Sequence, residues 1–103
     1  MDSQLDVRIK MIKSISSGGI KSLSKTKRYG LTISTIWISD LGYETAIFDM
    51  VGAHPVERCE SKKEALVNHE KWVNKSNRLV TILKLGYPNS SIKDEEITLK
   101  RFQ

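Results

Sequence analysis

The chain has 103 residues, 39% of them hydrophobic and 28% charged. That suits one small domain around one modest core and excludes a multidomain enzyme, a collagen-like chain and a wholly disordered one. The net charge of +5 is all N-terminal: residues 1–30 carry Arg8, Lys10, Lys13, Lys21, Lys25, Lys27 and Arg28 against Asp2 and Asp6, whereas residues 31–103 hold ten charges of each sign.

In chain order, Leu5, Val7, Ile9 and Met11 alternate with Asp6, Arg8 and Lys10, the period of a half-buried strand, yet Leu5, Ile9, Ile12 and Ile15 also share a helical face. Both readings stay open. Residues 14–30 are rich in Ser, Gly and Lys, which predicts a flexible linker and a boundary between a basic segment, 1–30, and a domain, 31–103. Residues 31–39, dense in β-branched side chains around Trp37, and residues 43–50 read as two strands joined through Asp40-Leu41-Gly42, a short hairpin loop with a terminal glycine. Val51-Gly52-Ala53-His54-Pro55 reads as the next turn and residues 56–59 as a third strand, completing a β-meander.

Ser61-Lys62-Lys63-Glu64 has the spacing of a capping box, in which serine and glutamate side chains satisfy free amides at a helix start. Leu66, Val73, Val80 and Leu83, flanked by Ala65, Trp72 and Leu79, then recur at helical spacing. They predict a helix that covers the sheet and stops at Gly86, with Ser76-Asn77 as its weak point. Residues 89–96 read as solvated and residues 97–102 as a last edge strand. The expected fold is α+β, a small antiparallel meander covered on one face by a helix.

Few residues have the spacing that catalysis or metal binding needs. His54, His69 and Cys59 are the only soft or borderline ligands, and His69-Glu70-Lys71-Trp72-Val73 has valine where a zinc-protease helix needs its second histidine. His69 falls on the apolar stripe and reads as a hydrogen-bonded core or boundary histidine, His54 as a surface turn residue, and Cys59 as a small buried side chain in a strand. Gly18-Gly19-Ile20-Lys21-Ser22 lacks the glycines of a phosphate loop. The strand carboxylates Glu44, Asp49, Glu57 and Glu60 read as solvated, and Trp37 and Trp72 as core. No catalytic residue, metal ligand or cofactor site is assigned.

The cations offer more. Lys21, Lys25, Lys27 and Arg28 with Tyr29 have the composition of a segment that neutralises phosphates and stacks a base. Lys71, Lys75 and Arg78, at i, i+4 and i+7, predict a second basic stripe along the helix. A lone cysteine, the lack of any run of roughly 18 apolar residues and the lack of a signal-peptide pattern lead to the expectation of a cytoplasmic protein without membrane contact.

Ser34-Thr35-Ile36-Trp37, Tyr43-Glu44-Thr45-Ala46-Ile47-Phe48, Val56-Glu57-Arg58-Cys59 and the stretch from Ser61 through Glu64-Ala65 and His69 to Val73 form a pattern over residues 34–73. That pattern resembles a group of small tailed-bacteriophage proteins. The group has an aromatic where this chain has Cys59 and a glycine where it has Asn68. The resemblance implies phage or prophage origin and carries no activity with it. The expected function is therefore that of a non-enzymatic phage accessory protein that binds a host or phage protein or nucleoprotein complex in the host cytoplasm, as a host-takeover or counter-defence factor would. Direct DNA or RNA binding through the basic residues and a minor virion role are the alternatives.

Overall fold

The structure, a computed structural model, describes residues 19–103; the strand-or-helix alternative at residues 5–11 and the first part of the basic segment lie outside them. Four strands, β1 (Ile20–Arg28), β2 (Leu31–Ile38), β3 (Gly42–Phe48) and β4 (Ala53–Cys59), form one antiparallel sheet in chain order. Helix α1 (Lys62–Lys75) crosses one face of all four strands, and β5 (Thr81–Lys84) pairs with β6 (Glu95–Thr98) in a second, two-stranded sheet. The α+β meander expected from the sequence is the fold observed.

Each local element has an identifiable cause. Tyr29 and Gly30 join β1 to β2 with φ of 54° and 74°, the two left-handed positions of a type I′ hairpin turn. Gly30 is also required by space, because a Cβ there would run into the Phe102 carbonyl, and the Phe102 N–H donates to the Gly30 carbonyl at 2.9 Å. Between β2 and β3, Gly42 has φ 94° and lies so close to the Cys59 carbonyl that a side chain would collide with it. The serine half of the capping box forms where the spacing implied, with the Glu64 N–H donating to Ser61 Oγ at 3.1 Å.

Register places three rows of side chains under α1. Thr26, Ile33, Ile47 and His54 form one row, Ser24, Thr35, Thr45 and Glu57 the next, and Lys21, Trp37, Tyr43 and Cys59 the last. Leu31, Ile33, Ile47 and Val56 join Val73 of α1, Ile82 of β5 and Leu99 in one buried cluster, against which Trp72, Leu79 and Ile97 pack. Full burial of one such aliphatic side chain is worth about 1.5–3 kcal/mol.

Three expectations need correction. Residues 20–28 are a strand and not a linker: the I′ turn brings them against the β-branched β2, and that pairing overrides their weak intrinsic preference. A bulge between Ser22 and Ser24 absorbs one residue, and the polar composition suits a sheet edge. The helix stops at Lys75 instead of reaching Gly86. Ser76 turns its N–H and Oγ back onto the Val73 carbonyl, and beyond it Ile82 and Lys84 are buried at strand spacing while Val80 and Leu83 are 67% and 55% exposed. Leu66, expected on the buried stripe, is 43% exposed; Ala65, His69 and Val73 are what α1 buries. Finally, β4 begins at Ala53, so His54 and Pro55 are buried strand residues and not a surface turn.

Candidate binding surface on the first strand

The polar groups divide into those turned inward and those turned outward. Inward, His69 is 1% exposed and bridges two strands: its Nδ1 is 2.8 Å from Thr35 Oγ1 and its Nε2 3.0 Å from Thr26 Oγ1, while Thr35 and Thr45 hydroxyls meet at 2.8 Å. A neutral imidazole has one donor and one acceptor, which these rotatable hydroxyls can complement. Burial pushes the His69 pKa below the usual 6.5, against a small opposing effect of Glu70. This is the hydrogen-bonded core histidine that the sequence suggested.

Asp49 and His54 form a second inward group, and both differ from the sequence expectation of solvated residues. Asp49 Oδ1 accepts from His54 Nε2 at 2.8 Å and from the Val51 and Gly52 amides, and Oδ2 accepts from the Lys100 amide at 2.8 Å. Burial alone would raise its pKa, but these donors outweigh it and hold the carboxyl below its ordinary value. One side chain thus ties the β3–β4 turn to the C-terminal segment. Glu44, also read as solvated, is 3% exposed and pairs with Arg58 at 3.2 Å, and Arg58 in turn lies over the Tyr87 ring. Burial, with Glu64 and Glu57 nearby, raises the Cys59 pKa against the lowering effect of the Ser61 backbone, which keeps the half-buried thiol protonated.

The predicted helix stripe does not hold together. Arg78 lies beyond the end of α1, so only Lys71 and Lys75 share the helix. Both already have partners: Lys71 pairs with Glu57 at 2.7 Å, Trp72 Nε1 donates to the same carboxylate at 2.8 Å, and Lys75 Nζ lies 4.9 Å from the centre of the Trp72 ring. Burial raises the Glu57 pKa, but the hydrogen bonds from Lys71 and Trp72 prevail and keep it ionised.

On β1, by contrast, Lys21, Lys25, Lys27 and Arg28 are all exposed, and no carboxylate among the described residues pairs with them. Register puts Lys21 and Arg28 on the α1 side of the sheet and Lys25 and Lys27 on the other, so the edge itself carries the charge. At the hairpin end, Lys27, Arg28, Tyr29 and Phe102 line a cleft of about 440 Å³. Tyr29 and Phe102 are 55% and 58% exposed, and Arg28 lies over the Tyr29 ring. Their backbone is fixed: Arg101 donates to the carbonyls of Tyr29, Ser76 and Leu79, which clamps the hairpin turn to the end of α1.

At the other end, Lys21, Ser22, Leu23, Trp37, Tyr43 and Lys62 line a cleft of about 320 Å³, with Lys21 Nζ 5.7 Å from the Trp37 ring centre. Trp37, expected in the core, is half-buried there. The roles of Phe102, Tyr43 and Lys62 in these clefts were not visible in the sequence, because register and chain return bring them to β1 from distant positions.

Among the described residues no group of three or more His, Cys, Asp or Glu side chains is placed to hold a metal ion, and no helix is long and apolar enough to cross a membrane. No protein-family model matches the chain, and neither a curated protein nor a solved structure does.

Proposed function

We propose that this chain is a non-enzymatic docking protein of phage or prophage type, which works in the host cytoplasm and binds the anionic face of a host or phage macromolecule through β1. The observation that carries this reading is the edge strand itself: four exposed cations with two aromatic clefts at its ends. A solvated edge lined with lysine is the plain alternative, since lysine also keeps edge strands from pairing with other chains. The exposed Tyr29 and Phe102 argue against that alternative, because edge protection calls for charge and not for aromatic surface. A binding role rather than a catalytic one is supported by His54, His69 and Asp49, whose side chains are buried in internal hydrogen bonds. The phage setting rests on the resemblance across residues 34–73.

The test measures binding of three labelled polyanions, a single strand, a DNA duplex and a polyglutamate peptide, by fluorescence anisotropy at low salt. At least one should bind, and the triple variant Lys25→Glu, Lys27→Glu, Arg28→Glu should lose it while keeping the wild-type circular dichroism spectrum. Failure of all three to bind, or equal binding by the triple variant, would refute docking through β1.

A further inference from the structure

We infer that the anionic partner is single-stranded nucleic acid, laid along β1 with an unstacked base held in the aromatic cleft at each end; this rests on docking through β1 as proposed above. Each cleft combines an aromatic pair with two cations: Tyr29 and Phe102 with Lys27 and Arg28, and Trp37 and Tyr43 with Lys21 and Lys62. Aromatic rings beside cations form the recognition unit for a nucleotide, the ring stacking on the base and the cation meeting the phosphate. An acidic peptide offers the charge without the π-face, and a duplex keeps its bases stacked on one another, so neither uses both halves of a cleft.

The spacing suits a short strand. Lys21 and Arg28 are seven residues apart on β1, about 23 Å at roughly 3.3 Å per residue. A single strand drawn out beyond the duplex rise of about 3.4 Å per nucleotide crosses that distance in fewer than about seven nucleotides. Lys25 lies between the clefts on the same edge. The hairpin cleft is also ready-made, because the Gly30–Phe102 hydrogen bond and the Arg101 clamp hold Tyr29 and Phe102 in place before any partner arrives. Trp37 and Tyr43 are direct cross-strand neighbours, so register fixes their separation in the same way.

The experiment compares a ten-nucleotide thymidine strand, a dinucleotide, the duplex and polyglutamate, with intrinsic tryptophan fluorescence as a second readout. The ten-nucleotide strand should bind best and quench the emission, and its affinity should fall with salt at a slope of about −2.8, from roughly 0.7 for each of four phosphate contacts. Phe102→Ala, a change at an exposed position, should weaken that binding about fivefold or more while leaving polyglutamate binding unchanged. Trp37→Phe should keep binding but lose most of the quenching. Equal affinity for duplex or polyglutamate, with Phe102→Ala neutral, would overturn the single-strand assignment and leave docking through β1 standing; no binding to any polymer would overturn both.

Discussion

Polar side chains on the outer edge of β1 and polar side chains turned into the fold are both hydrogen-bonding or charged groups, but they differ in what partners them. The edge cations are exposed and pair with no carboxylate among the described residues, Lys21 and Arg28 lying only over the Trp37 and Tyr29 rings, whereas His69, Asp49 and Glu57 each have two or more hydrogen-bond partners from other elements. A buried polar group stabilises the fold only as long as its partners remain, because losing one leaves the other desolvated and unsatisfied. An exposed cation with no carboxylate partner adds little to stability and can meet an external anion. Changes to the inward groups should therefore act on folding, and changes on β1 should act on binding.

The largest expected effect is on the folding side. Asp49→Ala removes the acceptor for four donors, one of them the buried His54, and should destabilise the protein by about 2–4 kcal/mol in urea denaturation. Anion binding by the folded fraction should be unchanged. Next comes the β1 triple reversal, expected to lower polyanion affinity by more than about 30-fold while shifting stability by less than about 0.5 kcal/mol. If that variant unfolds, or Asp49→Ala abolishes binding while folded, the division between the two regions fails.

Smaller effects sharpen the same contrast. Burial depresses the His69 pKa, so the folded chain favours the neutral ring. The unfolded chain takes up that proton at its ordinary pKa, so the His69 contribution is complete above about pH 6.5 and declines as pH falls through it. Asp49 has the other sign of charge and acts lower. Its carboxyl is held below the ordinary value, so its contribution is complete above about pH 4 and is lost on further acidification. Denaturation curves between pH 8 and pH 3 should show the first decline vanish in a His69→Gln variant. The smallest change is Lys71→Gln, which should cost less than about 1 kcal/mol and less than about twofold in anion binding, because Lys71 is already paired with Glu57. Should Lys71→Gln weaken polyanion binding as much as the β1 changes, the helix cations belong to the binding surface after all.

How far the sequence could be read depended on the range of the interaction that decides each element. The Ser61 helix cap and the hairpin ending at Gly42 are local signals, and both appear where the residues implied. Residues 20–28 carry no such signal: Ser, Lys and Thr become a strand only because the Tyr29-Gly30 turn delivers them to β2. Val80 and Leu83 fit a helical period by coincidence, while the residues buried there, Ile82 and Lys84, follow the period of two. His54 looked like a turn residue because its partner Asp49 is fixed by a contact to Lys100, at the far end of the chain. For the binding surface, the cations and Tyr29 were legible from composition. Their separation from the helix cations was not, since it depends on Glu57 lying opposite Trp72 and Lys71 in three dimensions.

The claim at the centre of this account is that β1, and not the helix, meets the partner. The most direct measurement is amide chemical-shift mapping by NMR of the whole chain, titrated with the ten-nucleotide thymidine strand at low salt. The account expects perturbations concentrated on Lys21–Tyr29, Trp37, Tyr43 and Phe102. Shifts centred on Lys71, Lys75 and Arg78, or none at saturating strand, would contradict it.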